Sequence, residues 1–312
     1  MILGASNLAQ RQLIPAALAS GCFEDVEVAS RRPLTLDKCN HIYPSYEKAL
    51  TKSKADLVYV SLVNSEHATW VKRSLESGRH TIVDKPAFLT HNETVELTTL
   101  AVTNNLLLAE ATVWTQHPQI DKLLSLFEKC SSTPSRAVAL FSMPPFAPEN
   151  FRWQKKLGGG ALYDLGPYFA STGRLLFGSA AELVSANIHQ WHNNEVPLSF
   201  SVQATWSGGG SLVGHFGFDT EYVNRLEVLS SKMHIILNRA YTTPHDLKNT
   251  LTVSETNKSR SELCEAGNSF AQFFIRIVND LKINSYQHWY QDMLDDSQTL
   301  RLLHQATKVG NS

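Results

Sequence analysis

The chain has 312 residues, of which 43% are hydrophobic and 18% charged, and its formal net charge is −1 at pH 7. That length favours two domains over one, and the near-neutral balance gives no electrostatic reason for a nucleic-acid or acidic-membrane partner. Four scattered cysteines (Cys22, Cys39, Cys130, Cys264) without a C-x-x-C pair, no histidine spacing suited to a metal, no membrane-length apolar run and no signal-peptide pattern predict a cytoplasmic protein without metal.

Met1-Ile2-Leu3 reads as a strand fragment running into Gly4-Ala5-Ser6-Asn7-Leu8-Ala9. A glycine directly after a strand, then Ser6 or Asn7 as a helix N-cap, is the layout of a phosphate cradle. Ser6 stands at the second glycine of G-x-G-x-x-G/A and Ala9 at the third, so a tight turn into any helix has the same look. The helix that follows, with Leu8, Leu13, Ala17 and Leu18 on one face, contains Pro15, which predicts a kink or a split. Val26–Ser30 is a second strand and ends in Ser30-Arg31-Arg32. An acid at that place would hold the ribose 2′-hydroxyl of NAD. Two arginines, whose guanidinium forks match phosphate, favour NADP(H) over NAD(H).

The strand Asp56–Leu62 leads through Asn64 and His67 into a helix that Gly78 closes, and Thr81–Val83 then runs into Asp84-Lys85-Pro86. Buried parallel strands read as short apolar runs, and open α/β sheets bind ligands at their carboxyl ends. Lys85 is thus presented at a strand end with a backbone that proline restricts, and a cis Lys85–Pro86 bond is expected. A helix from about Asn92 to Asn104 and the strand Leu106–Glu110 continue the alternation, which predicts βαβ units and a doubly wound parallel sheet.

Beyond about residue 118 this alternation stops, placing a domain boundary between 118 and 119. A helix (Gln119–Cys130), a strand (Arg136–Ser142) and a Pro-rich loop lead to Phe151-Arg152-Trp153 and then to Gly158-Gly159-Gly160-Ala161-Leu162-Tyr163-Asp164-Leu165-Gly166-Pro167-Tyr168. Asp164 and Tyr168, four apart, share one face of a helix. Taken alone, a glycine-rich linker into an ordinary helix fits as well. Five strands (Leu183–Trp191, Phe200–Trp206, Ser211–Phe218, Asn224–Leu229, His234–Leu237) predict a mostly antiparallel sheet, Ser254–Ser261 reads as a polar tract, and helices near Gly267–Leu281 and Tyr286–Lys308 close the chain.

Gly4–Ala9, Asn64-Ser65-Glu66-His67, Asp84-Lys85-Pro86, Glu110-Ala111, His117-Pro118-Gln119 and Gly158–Tyr168 occur in order over nearly the whole chain, and together they resemble the Gfo/Idh/MocA oxidoreductase family. The resemblance implies a dinucleotide-binding Rossmann domain (1–118) and an α+β domain (119–312) whose large, mostly antiparallel open sheet binds substrate and forms a homodimer or homotetramer. It implies Lys85, Tyr168 and Asp164 as catalytic, and Lys85, Arg152, Asp164 and Tyr168 around the substrate. Around the dinucleotide it and the motifs above imply Gly4, Ser6, Asn7, Leu8, Ser30, Arg31, Arg32, Leu62, Asn64, His67, Asp84, Lys85, Glu110 and Trp153. Tyrosine at 168 looks like the branches reducing nucleotide-linked deoxysugars or oxidising dihydrodiols, and Phe218–Asn224 with Arg239–Thr242 is similar to the former. The expected reaction moves a hydride between NADP(H) and a carbonyl or hydroxyl carbon of a sugar or sugar nucleotide. Tyr168 is the expected proton donor and Lys85 the neighbouring ammonium, with Lys85 as direct donor the alternative. A dihydrodiol dehydrogenase and a non-catalytic dinucleotide sensor are the other readings. The chain departs from the family at Asp84 (usually Glu), Val63 (usually Pro) and Ser6. Only three residues precede Gly4, which implies a start upstream or a weakened cofactor site.

Overall fold

The structure is a computed structural model that describes residues 1–36, 39, 41–193, 195–256 and 258–309. Six strands pair in parallel: β1 (Ile2–Leu3), β2 (Glu27–Ala29), β3 (His41–Tyr43), β4 (Leu57–Val60), β5 (His80–Val83) and β6 (Leu108–Glu110). Their order is β3-β2-β1-β4-β5-β6, the doubly wound order in which the connections reverse direction between β1 and β4. Apolar runs such as Val58-Tyr59-Val60 and Ile82-Val83 are buried, as a sheet covered on both faces requires. Although β1 has two residues, Ile2 registers with Val28 on one side and Tyr59 on the other, and the Met1 carbonyl accepts from the Tyr59 amide at 2.9 Å.

The helices of this part are α1 (Ile14–Ala19), α2 (Tyr46–Lys52), α3 (His67–Glu76) and α4 (His91–Thr103). Pro15 splits the first helix as expected: a π-helical turn, Ala9–Leu13, precedes α1, and the proline sits in the first turn of α1, where no N–H is needed. Ser45 caps α2 by accepting from the Lys48 amide at 3.2 Å, and Thr90 and Glu93 form a capping box on α4.

The remaining elements are α5 (Pro118–Lys129), β7 (Arg136–Ser142), α6 (Ala161–Phe177), β8 (Leu183–His192), β9 (Val196–Thr205), β10 (Ser211–Gly217), β11 (Val223–Leu229), β12 (His234–Asn238), β13 (Thr250–Glu255), β14 (Lys258–Leu263), α7 (Ser269–Lys282) and α8 (Gln287–Val309). The second sheet runs β14-β13-β12-β11-β7-β10-β9-β8, antiparallel throughout except where β7 and β10 pair in parallel. Among the described residues no helix is long and apolar enough to cross a membrane.

The structure differs from the sequence reading in three places. First, β3 and α2 occupy a stretch in which no element is predicted, because three residues on a sheet edge leave no readable period. Second, the polar tract Ser254–Ser261 falls on the hairpin β13–β14. Leu251 and Val253 supply its buried side, while β14 is polar and mostly exposed, as suits an edge strand. Third, the chain divides into a unit of Met1–Val113 with Phe270–Leu294 and a unit of Trp114–Ser269 with Asp295–Ser312, so a single cut at 118 misassigns α7 and the start of α8. Phe274 of α7 packs edge-on to Phe23 at 5.3 Å, and Tyr286 and Tyr290 donate to the carbonyls of Asn105 and Leu106. An amphipathic helix announces that it packs on something, but its pattern does not say on which domain.

Candidate active site

Val83 carries the chain out of β5, and the following residues are fixed one after another. The Asp84 amide donates to the Val60 carbonyl at 3.0 Å, and its carboxylate accepts from Tyr59 Oη at 2.5 Å and Ser61 Oγ at 2.7 Å. Burial pushes the Asp84 carboxyl above the usual range, with the Tyr59 and Ser61 hydroxyls and the charges of His67 and Lys85 pulling the other way. The Lys85–Pro86 bond is cis, as the sequence suggests. The Pro86 carbonyl lies 2.9 Å from Nδ1 of His67, whose Nε2 is 3.1 Å from the Leu62 carbonyl. The Ala87 amide donates to Glu110 Oε2 at 2.7 Å, and Thr112 Oγ1 donates to Glu110 Oε1 at 3.0 Å. Lys85 is thus bracketed by residues whose polar groups all have protein partners.

Three of the residues expected around the cofactor are engaged within the protein. Asp84 gives its carboxylate to β4 and the residue after it. His67 is fully buried with both ring nitrogens on carbonyls, and Glu110 is buried and holds the chain after Pro86. Their chemistry supports the backbone around Lys85.

The turn after β1 fits a closely approached backbone. Gly4 has φ +103°, and a Cβ there would lie 2.1 Å from the Ser61 carbonyl oxygen, so only glycine fits between β1 and the chain following β4. Ser6 caps the helix by accepting from the Ala9 amide at 3.0 Å, while Asn7 and Leu8 are exposed. At the end of β2, Ser30 Oγ donates to the Arg32 carbonyl at 2.8 Å and accepts from the Arg32 amide at 3.1 Å, closing a tight turn that leaves both arginine side chains outward. Arg31 does not stand alone: its guanidinium ion-pairs with Glu66 and lies 4.6 Å from the centroid of the Tyr46 ring. Leu62 and Asn64 lie on the segment after β4, Asn64 buried and Leu62 half-buried. These groups suit a dinucleotide: a glycine turn leading into an exposed helix start at Asn7 and Leu8, and cationic forks at the neighbouring strand end.

In the second unit, α6 carries Asp164 and Tyr168 one turn apart, both half-buried. The glycine run ahead of α6 has a steric reason. A Cβ at Gly159 would lie 2.4 Å from the Arg152 carbonyl oxygen, which itself accepts from the Gly160 amide at 2.8 Å. That close passage sets Arg152 beside α6, where Nε donates to Asp164 Oδ2 at 2.7 Å and Nη2 to Oδ1 at 3.4 Å. The rings of Phe146 and Phe151 flank the same guanidinium at 4.6 and 4.8 Å. Tyr168 is held by rings: Phe141 edge-on at 5.0 Å and Tyr241 at 5.2 Å. Tyr241 is fixed in turn by its amide on Asn224 Oδ1 at 3.0 Å and by its hydroxyl 3.1 Å from Thr172 Oγ1. Burial pushes the Tyr241 phenol well up, so it stays neutral.

Trp153 is a core residue of this unit: it is buried, its indole N–H donates to the Ala147 carbonyl at 3.0 Å, and its ring stacks on His192 at 4.7 Å. His117 caps α5, its Nδ1 accepting from the Gln119 amide at 3.2 Å. Sequence reasoning did not anticipate the Arg152–Asp164 pair, the Tyr241 and Phe141 rings around Tyr168, or the partnership of Glu66 with Arg31. The one signal was for Tyr241, which lies in the Arg239–Thr242 stretch similar to the deoxysugar branch; the other contacts cross between elements that no local pattern joins.

The family model for the oxidoreductase family with an NAD-binding Rossmann fold matches residues 1–112, and the GFO/IDH/MocA C-terminal domain model matches residues 135–236. A dTDP-3,4-didehydro-2,6-dideoxy-alpha-D-glucose 3-reductase of Saccharopolyspora spinosa is 31% identical over 250 residues, covering 78% of this chain and 75% of that protein. A reductase of the same name from Actinomadura kijaniata is 26% identical over 94% of this chain and 90% of its own length. A 3-ketoreductase from Actinomadura kijaniata, crystallised with NADP and TDP-benzene, superposes with a TM-score of 0.91 at 24% identity, covering 99% of this chain and 96% of that one.

Proposed function

Because the chain belongs to the GFO/IDH/MocA family of oxidoreductases, we propose that it reduces a ketone of a nucleotide-linked deoxysugar with NADPH. The Gly4 turn and the Ser30-Arg31-Arg32 strand end would hold the dinucleotide, and neither a Cβ at residue 4 nor an acid at residues 30–32 stands in the way. When bound there, the reduced nicotinamide would supply the hydride for the carbonyl carbon. Lys85 steadies the negative charge that develops on the carbonyl oxygen, and the bracketing of its neighbours by Tyr59, Ser61, His67 and Glu110 keeps its backbone preorganised. Tyr168 donates the proton, with its ring orientation set by Phe141 and Tyr241. Asp164 keeps Arg152 turned along α6, so that the guanidinium orients the sugar or its phosphates while the carboxylate cancels its charge.

The observation that carries the substrate class is the likeness to dTDP-sugar 3-reductases over 75% and 90% of their lengths. The test is NADPH consumption by the purified chain with a dTDP-linked 3-keto-deoxysugar, and NADP reduction with a trans-dihydrodiol. Turnover of the sugar nucleotide alone is expected. Turnover of the diol alone moves the protein to the dihydrodiol branch, and cofactor binding without either reaction makes it a sensor.

A further inference from the structure

The end of β2 carries two arginines and no acid, and in the sequence both features point to NADP(H). In the fold an acid is there. Glu66, at the end of the 3₁₀ turn Asn64–Glu66 that follows β4, reaches the segment after β2 and ion-pairs with Arg31. Since β2 and β4 are the two neighbours of β1, this pair links the segments that leave the carboxyl ends on either side of β1, beside the switch point between β1 and β4. We propose that Arg31 and Glu66 form a two-way selector for the adenosine end of the cofactor: Arg31 takes the 2′-phosphate of NADP(H), and Glu66 accepts the ribose hydroxyl of NAD(H). The inference rests on the dinucleotide reading above.

Three features support it. The guanidinium is set on a platform, since it lies on the Tyr46 ring, which meets Trp70 edge-on at 4.9 Å. Glu66 is anchored on one oxygen only: Trp70 Nε1 donates to Oε2 at 3.1 Å, the oxygen that also takes Arg31, so Oε1 has no donor among the described residues. Finally, the pair is open to solvent, with 53% of the Arg31 side chain and 34% of the Glu66 side chain exposed, and exposed ion pairs are weak and readily rearranged. A phosphate repels the carboxylate and draws the guanidinium fork to itself. A hydroxyl instead donates to Oε1 and leaves the pair intact. One pair of opposite charges thus answers the two cofactors with different members.

The experiment measures dissociation constants of the full chain for NADPH and for NADH by fluorescence quenching, in the wild type, Glu66→Gln and Arg31→Gln. Glu66→Gln is expected to weaken NADH by about tenfold while NADPH stays the same or tightens, and Arg31→Gln to weaken NADPH by about tenfold or more with little effect on NADH. Opposite movement of the two ratios supports the selector, which general damage to the fold would not produce. An equal change for both cofactors in Glu66→Gln overturns it while leaving the dinucleotide reading standing. Binding of neither cofactor by the wild type overturns both.

Discussion

Strands β2 and β5 end at the same carboxyl edge of one parallel sheet, yet they finish in opposite ways. After β5, Asp84, Pro86 and Ala87 are held through a carboxylate, a carbonyl and an amide by Tyr59, Ser61, His67 and Glu110. Of these, Tyr59, Ser61, His67 and Glu110 are all buried. After β2 the Ser30 hydroxyl closes the turn among the described residues, and the Arg31 and Arg32 side chains face outward, Arg31 in an exposed ion pair with Glu66. The first arrangement suits a group that must meet a reacting atom in a fixed place, because preorganised charge loses nothing to rearrangement during reaction. The second suits recognition of a cofactor's periphery, where a surface pair can change partners at small cost.

Breaking the comparison at its strongest point means removing Lys85 itself. Lys85→Met is expected to lower kcat by about 10³-fold or more, since the charge that steadies the carbonyl oxygen and assists the Tyr168 phenol is lost, while melting temperature and NADPH affinity change little. Undiminished turnover would remove Lys85 from the reaction. At the other strand end the largest effect falls on affinity. Replacing Arg31 and Arg32 together by Gln should weaken NADPH by roughly 10- to 100-fold, NADH far less, and leave stability within about 0.5 kcal/mol. Equal losses for both cofactors in a titration would deny these arginines a phosphate role. The supports of β5 should show the reverse balance. Tyr59→Phe leaves the Asp84 carboxylate with one hydroxyl donor fewer and is expected to cost about 1–3 kcal/mol in urea unfolding. A cost as small as that of the arginine variants would mean that the two strand ends do not differ in the way described.

The same contrast explains what could be read from the sequence. Gly4, Ser30-Arg31-Arg32 and Asp84-Lys85-Pro86 are legible because turns and strand ends are written in neighbouring residues: a glycine at positive φ, a serine closing a two-residue loop, a proline after a strand. The alternation of strands and helices over the first hundred residues is legible for the same reason, apart from β3, which is too short and too close to the sheet edge to show a period. What sets the site lies between distant residues: Glu66 meets Arg31 across 35 positions, Glu110 meets the Ala87 amide across 23, and His67 meets the Pro86 carbonyl across 19. Each requires the strand order β2-β1-β4-β5-β6 before the partners become neighbours. Before that order is known, Asp84, His67 and Glu110 have the look of ligands. With it, they are seen to hold the chain around Lys85. In the second unit, Asp164 and Tyr168 were legible as one helix face, but Arg152 comes to Asp164 only because Gly159 lets two backbones pass closely.

The smallest expected effect is also the one that separates the strand ends by pH. Burial raises the Asp84 pKa, so the folded chain binds that proton more tightly than the unfolded chain does. Between the ordinary carboxylate pKa and the raised one, the folded state therefore holds more protons, and stability falls as pH rises through that window before levelling off above it. The stabilising contribution is present below the unfolded pKa and lost by the time the folded carboxyl has ionised. Asp84→Asn cannot ionise, so the stability of the wild type relative to this variant should decline as pH is raised through the window, read as the difference in urea midpoint at a series of pH values. Arg31→Gln, at the exposed strand end, should run parallel to the wild type over the same range. A wild-type advantage over Asp84→Asn that instead grows with pH would mean that the charges of Lys85 and His67 outweigh burial at Asp84. The end of β5 would then be held by an ion pair, as the end of β2 is.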